Sequence, residues 1–256
     1  MPANPVFVLV PGAWHPGAVY QPLLDELAKA GYETYAHTNR SMSEPNPEAT
    51  TAEQDAVAAR EVIVRYLDQA KDVVVIGHSY GGIVGSAAAQ GLSKSERLAS
   101  GKTSGVVGLI AIACVLKPEG PSMMEASGGQ ITPWVLLNNP REGLCFPDGP
   151  DYFYKPEIDP KLADELFSKL RGQAMQVMTT PLQKPAWSDP QMKGKLGYIK
   201  CLRDQAIPLE GQTAVIQGTG QEWHIAEMDT GHSPFVSRAG ETAKVCLDLL
   251  KKFEAS

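Results

Sequence analysis

The sequence predicts an α/β fold, built on a mostly parallel sheet of about six strands with helices on both faces. Three observations lead there. Short apolar runs rich in β-branched residues, such as VFVLV at 6–10 and VVVI at 73–76, contain no polar residue, as expected of strands covered on both sides. Segments with apolar residues at helical spacing alternate with these runs as far as residue 114. After a break, the same rhythm returns from about residue 196.

The elements follow in order. The strand 6–10 ends at a Pro-Gly turn. Residues 18–30 then read as a helix, with Leu23, Leu24 and Leu27 on one face and Gly31 closing it. Residues 32–38 form a second strand, and 39–47 a loop rich in Ser, Pro and Asn. A helix over 50–70 carries Val57, Ile63, Val64 and Leu67 as its apolar stripe. The strand 73–76 and a helix over 80–91 come next, then a strand over 106–114. Between 117 and 195 prolines crowd in and the alternation stops, which predicts an inserted, mainly helical cap between two parts of one core, 1–116 and 196–256. Asp159-Pro160 reads as an N-cap with proline at the first helical position, followed by Leu162, Leu166 and Leu170 up to Gly172. The core resumes with a strand over 197–202, a helix over 210–218, a strand over 223–228 and a closing helix over 241–253.

Bulk properties narrow the function. A chain of 256 residues with 43% hydrophobic content can bury a sizeable core. The net charge of −6 and the lack of any basic block argue against nucleic acid or an anionic membrane as partner. The first residues, MPANP, have no basic region followed by a long apolar one, so no signal peptide is expected, and no stretch approaches a membrane span. Cys114, Cys145, Cys201 and Cys246 lie far apart with no C-x-x-C. That predicts neither a disulfide framework nor a zinc site, and a reducing, cytoplasmic setting.

The chemistry centres on VVVIGHSYGG, residues 73–82. Gly77-His78-Ser79-Tyr80-Gly81 fits G-x-S-x-G, the strand-to-helix turn that lifts a serine above a sheet. A serine hydroxyl needs a histidine to take its proton, and the histidine needs a carboxylate to fix its tautomer. On such a sheet both should follow later strands, in the order Ser, Asp or Glu, His. Asp204 follows the strand 197–202 in CLRDQAIP, and His232 follows the strand 223–228 in MDTGHSPF. Each has a plainer reading: Ser79 as a small turn residue, Asp204 as a turn cap, His232 as a loop histidine. Agreement in type and order favours the triad. Asp189 and Asp229 are rival acids, the first within the insertion and the second very near His232. His78 is expected to pack under the elbow, His37 ends a strand and His224 lies within one; no pair of histidines has metal-ligand spacing, and no metal is expected.

An oxyanion needs two preorganised donors. The N–H of Tyr80, after the nucleophile, and that of Ala13, in the loop after the first strand, are the candidates. Gly12 would let the backbone approach a substrate closely. Trp14 and His15, from the same loop, with Trp134 and Trp187 from the insertion, are the expected pocket residues. Met123, Met124, Phe146, Phe153, Met175 and Met178 are further apolar residues of the insertion, more than half of all of these being expected to serve packing.

With FVLVPGAW, GHSYGG, RDQAIP and GHSPFVS in view, the chain resembles the α/β-hydrolase family over nearly its whole length, least between 117 and 195. It is most similar to the compact branch of plant hydroxynitrile lyases, plant methyl esterases and fungal and bacterial esterase-like proteins. The resemblance implies Ser79, Asp204 and His232 as triad, with the N–H groups of Ala13 and Tyr80 as the oxyanion hole. It also marks two departures. The lyases of the branch carry threonine where this chain has Gly12, and lysine where it has Ser233; Pro11 replaces the branch's usual first-loop histidine. The expected activity is therefore hydrolysis of a carboxylic ester or lactone of a small to medium, largely apolar substrate, with no cofactor. Cleavage of a carbon–carbon bond in a β-diketone-like compound, and a non-hydrolytic binding or biosynthetic role, are the alternatives. The expected partner is a small molecule, with homodimerisation left open.

Overall fold

The computed structural model of the chain describes residues 4–43 and 45–256. Residues 1–3, which enter the expectation of no signal peptide, and Glu44, in the loop 39–47, lie outside the described residues. In chain order the elements begin with β1 (Val6–Val10), α1 (Gln21–Lys29), β2 (Thr34–Ala36), α2 (Ala52–Leu67), β3 (Val73–His78), α3 (Gly81–Ala89), α4 (Lys94–Ala99) and β4 (Val106–Ile112). An insertion follows, holding α5 (Met123–Ala126), β5 (Val135–Leu137), β6 (Leu144–Pro147), α6 (Asp151–Tyr154), α7 (Pro160–Phe167), β7 (Gln173–Ala174) and α8 (Gln176–Thr179). The chain ends with β8 (Leu196–Cys201), α9 (Leu209–Gly218), β9 (His224–Met228), α10 (Pro234–Ser237) and α11 (Ala239–Glu254).

Among the described residues six strands form the main sheet, in the order β2-β1-β3-β4-β8-β9, and every neighbouring pair is parallel. The unbroken apolar runs have the predicted cause. In β1, Val6, Val8 and Val10 join one core and Phe7 and Leu9 the other, so both faces are buried. The first core takes in α2 and α3, the second α1 and α11. Parallel strands all point the same way, so the loops after β1, β3, β8 and β9 gather at one end of the sheet.

Two local readings needed correction. In α2 the inward stripe is Ala52, Ala56, Ala59, Ile63 and Leu67, whereas Val57 is 48% exposed. Alanines face the sheet because α2 packs beside α3, GGIVGSAAA, and two small-residue faces approach closely. In α7, Asp159 caps the helix as expected, but the helix stops at Phe167; Ala163 and Leu166 point inward and Leu162 is 41% exposed. The insertion also contains a three-stranded antiparallel sheet, β5-β6-β7, which the sequence did not reveal. Its strands have two to four residues, too short to show a period. The small helix α4 was missed too, although its capping box, Ser93 with Glu96, was readable.

Candidate active site

Ser79 stands directly after β3 at φ 53°, in the left-handed region. A non-glycine residue there costs about 1–2 kcal/mol and persists because its surroundings fix it. Those surroundings are visible. The Ser79 N–H donates to the Ile112 carbonyl (3.1 Å), and the Val115 N–H donates to the Ser79 carbonyl (3.1 Å). The motif's glycines answer to close approach: a Cβ on Gly81 would run into the Val10 carbonyl oxygen, and one on Gly77 would lie 2.7 Å from the Gly81 oxygen.

The later strands supply the other partners. His232 Nδ1 lies 2.7 Å from Asp204 Oδ2, and both side chains are fully buried. The Asp204 Oδ1 accepts the N–H groups of Ala206 (2.8 Å) and Ile207 (2.9 Å), so this carboxylate is fixed in orientation. With Nδ1–H donating to Asp204, the free lone pair of a neutral imidazole sits on Nε2. Among the described residues neither Ser79 Oγ nor His232 Nε2 has a protein hydrogen-bond partner, so the serine–histidine bond is open in this structure. Such bonds are commonly long until substrate is in place. The rival acids are otherwise engaged: Asp229 is exposed and pairs with Arg203 (2.7 Å), and Asp189 caps the Gln191 N–H (3.0 Å).

A buried chain of polar groups ties the three loops together. The Gly12 N–H donates to the Tyr20 hydroxyl (2.8 Å), whose proton then goes to His78 Nδ1 (2.7 Å). His78 Nε2–H in turn donates to the His232 carbonyl (3.0 Å). Every group in the chain is satisfied with His78 neutral, and burial holds its pKa well below the ordinary value. His78 thus packs under the elbow as expected and also fixes the first loop to the histidine loop.

The first loop turns sharply at Trp14, φ 62°. The Trp14 N–H donates to Gln173 Oε1 (3.2 Å) and its indole N–H to the Cys145 carbonyl (3.0 Å), so the insertion holds the loop that carries Ala13. On the other side, the Tyr80 hydroxyl donates to Asp55 Oδ2 (2.9 Å). Asp55 also accepts from the Ser41 N–H (2.8 Å) and hydroxyl (2.6 Å), while Gln173 Nε2–H donates to Ser41 Oγ (3.2 Å). Asp55 is completely buried, and burial raises its pKa. Among the described residues the N–H groups of Ala13 and Tyr80 find no acceptor in the protein.

A cavity of about 460 Å³ opens beside Ser79, lined by Ala13 and Tyr80 and by a largely apolar wall. Trp14 and Trp134 line it as expected, ring to ring at 5.8 Å, with Phe153, Met123, Met124 and Met178. Gly12, His15 and Trp187 do not line it. Gly12 faces His78, where a Cβ would lie 2.8 Å from Nδ1. Trp187 lies against Gly82 and Ser86 of α3, in a separate void. Phe146 and Met175 pack into the core.

His15 is buried under the first loop, bonded to the Ala13 carbonyl (2.7 Å) and the Tyr154 hydroxyl (3.1 Å). Burial lowers its pKa from the usual 6.5 to about 4. The folded state therefore binds this proton less readily than the unfolded chain. The stability it contributes is full above about pH 6.5 and is lost as pH falls toward 4. Between pH 7 and pH 5 that loss is roughly 2 kcal/mol. Urea unfolding at the two pH values should show a drop that is smaller by this amount in His15→Gln; parallel curves for the two proteins would refute the assignment.

Asp55, Tyr20, Gln173 and Gln212 are the site residues that sequence reasoning missed. Gln212, fully buried, bridges Cys201 and Ile207 and comes within 3.5 Å of Asp204 Oδ2. Asp55 had a readable signal, being a carboxylate next to Ala56 on a helix face of alanines. The other three had none. Among the described residues no group of three or more His, Cys, Asp or Glu could hold a metal ion, and no helix is long and apolar enough to cross a membrane.

A family model described as the alpha/beta hydrolase family matches residues 7–245. The alpha/beta hydrolase nvfD of Aspergillus novofumigatus is 31% identical over 245 residues, covering 91% of this chain and 92% of that protein. Among solved structures, polyneuridine aldehyde esterase superposes with a TM-score of 0.74 at 18% identity, covering 96% of this chain and 99% of the other. The pyrethroid hydrolase PytH superposes with a TM-score of 0.73 at 17% identity, covering 97% and 98%.

Proposed function

The chain belongs to the alpha/beta hydrolase family, and on that premise we propose that it is a serine esterase acting on a carboxylic ester or lactone through an acyl-enzyme. The observation that carries this reading is the buried 2.7 Å bond between His232 and Asp204, beside a left-handed Ser79 at an apolar cavity. The esterase and the pyrethroid hydrolase among the similar folds make ester chemistry the first choice.

In this reading Ser79 Oγ attacks the ester carbonyl carbon while His232 Nε2 takes its proton. The carbonyl oxygen becomes an oxyanion and is held by the N–H groups of Ala13 and Tyr80, neither of which has another acceptor among the described residues. Collapse breaks the bond to the alcohol oxygen, which leaves with the proton from His232. Water, deprotonated by His232, then splits the acyl–serine ester and frees the acid. Asp204 keeps the imidazole in the tautomer that makes Nε2 the base. The insertion serves as the cap of the substrate cavity through Trp134, Phe153 and the methionines. No cofactor enters any step, and the small-molecule substrate is the partner.

Cyanohydrin cleavage lacks its groups here. It needs a donor near the substrate hydroxyl and a cation for departing cyanide. A threonine side chain at position 12 would meet His78 Nδ1, and Ser233 is buried and neutral. A neutral hydroxyl cannot replace an ammonium in a low-dielectric pocket. The expected result is hydrolysis of p-nitrophenyl butyrate with no cyanide release from mandelonitrile above the protein-free rate. Ser79-dependent cyanide release without esterase activity would overturn the reading.

A further inference from the structure

The wall of the cavity beside Ser79 contains one lysine and no carboxylate. Lys117 lines the cavity, half-buried, and its Nζ donates to the Ala126 carbonyl at 3.1 Å. Among the described residues no Asp or Glu lines that wall, and none pairs with Lys117. An ammonium has three donors and no acceptor, so one bond to a carbonyl leaves two donors without a protein partner. The surrounding residues do not need this charge: the wall is mostly apolar, with Ser127, Gln130 and Thr132 as its other polar side chains apart from Ser79 and the Tyr80 hydroxyl, which is turned to Asp55.

The segment that carries Lys117 also starts beside the nucleophile. The Val115 N–H is bonded to the Ser79 carbonyl, and Val115 itself lines the cavity. Lys117 is two residues further on, a distance of at most about 7 Å of extended chain. The chain as a whole carries −6, so a positive wall here runs against the sign of the molecule rather than following from it.

We propose that the substrate carries, besides the scissile ester, a carboxylate held by Lys117. Resting on the esterase reading, this narrows the substrate class to half-esters of dicarboxylic acids and carboxylated lactones, apolar between the two ends. A carboxylate here gains a charge-assisted hydrogen bond beside a largely apolar wall, and such bonds are stronger than those between neutral groups. A neutral substrate of the same shape offers the ammonium no counter-charge.

The test compares p-nitrophenyl hydrogen glutarate with its neutral methyl ester, in wild type, Lys117→Met and Lys117→Glu. Wild type should favour the half-ester in kcat/KM by about tenfold or more. In Lys117→Met the ratio should fall about tenfold, whatever the absolute rates, and in Lys117→Glu it should invert. An unchanged ratio in Lys117→Met overturns the inference while leaving the esterase reading standing. A second arm does not depend on turnover: Trp fluorescence of Ser79→Ala and of Ser79→Ala/Lys117→Met titrated with glutaric acid mono-anilide. Lys117-dependent binding without hydrolysis of either ester supports the carboxylate site and defeats the esterase reading. Equal binding by the two proteins, or no binding by either, overturns the carboxylate site. Far-ultraviolet circular dichroism of each variant checks that it is folded.

Discussion

Replacing Ser79 by alanine is expected to lower kcat by about a millionfold, as loss of the nucleophile does in another serine hydrolase. The same change should abolish labelling by a fluorophosphonate, which in the wild type should add once, on the peptide containing Ser79. The size follows from what remains. In the proposed mechanism Ala13 and Tyr80 would still offer two donors to an oxyanion and His232 could still deprotonate water, but no covalent intermediate would divide the reaction. Folding should survive, because Ser79 is held by its backbone bonds to Ile112 and Val115, which alanine keeps. Ser79→Gly gives a second control. Glycine adopts φ 53° without strain, so this variant should be equally inactive and as stable as wild type or up to about 1 kcal/mol more so. Labelling elsewhere, or none in active protein, would end the assignment.

Asp204→Asn is expected to cost on the order of 10⁴ in kcat, by analogy with the equivalent change in a serine protease. Asparagine can keep Oδ1 on the N–H groups of Ala206 and Ile207, so the loop should hold its shape. The atom facing His232 Nδ1 then becomes an NH₂ donor. It turns the imidazole to the wrong tautomer and gives the developing imidazolium no counter-charge. Neither rival acid stands ready, since Asp229 is paired with Arg203 at the surface and Asp189 caps a turn elsewhere. Retention of more than about a tenth of wild-type activity would mean that a different acid orients the histidine.

The reach of the sequence differed from element to element. β1 and β3 were legible because a strand buried on both faces must be apolar throughout. α2 was legible as a helix, but its buried side was misjudged. Val57 counts as apolar in any pattern, while Ala52, Ala56 and Ala59 face inward only because α3 lies close enough to require small residues. The antiparallel strands of the insertion left no pattern, being two to four residues long, and β7 joins β6 only across some thirty residues, Leu144 with Ala174. Similarly, Trp14 and Trp134 were distinguishable from Trp187 only once the chain was folded, since composition says what a tryptophan can do but not which cavity it faces.

By itself the sequence determined the parallel α/β architecture, the glycine-framed elbow at Ser79, and the order in which Asp204 and His232 follow later strands. Each is a local matter: period, turn chemistry, or position after a strand end. Tertiary structure decided which of Asp189, Asp204 and Asp229 meets His232. It decided that Asp55, Ser41 and Gln173 brace the loop of Ala13 and the Tyr80 side chain from distant parts of the chain. It also decided that Lys117 faces the cavity without a carboxylate beside it. The physical reason is the same in all three cases. A buried polar group takes whatever partner the packing brings within about 3 Å, and that partner can lie anywhere in the sequence.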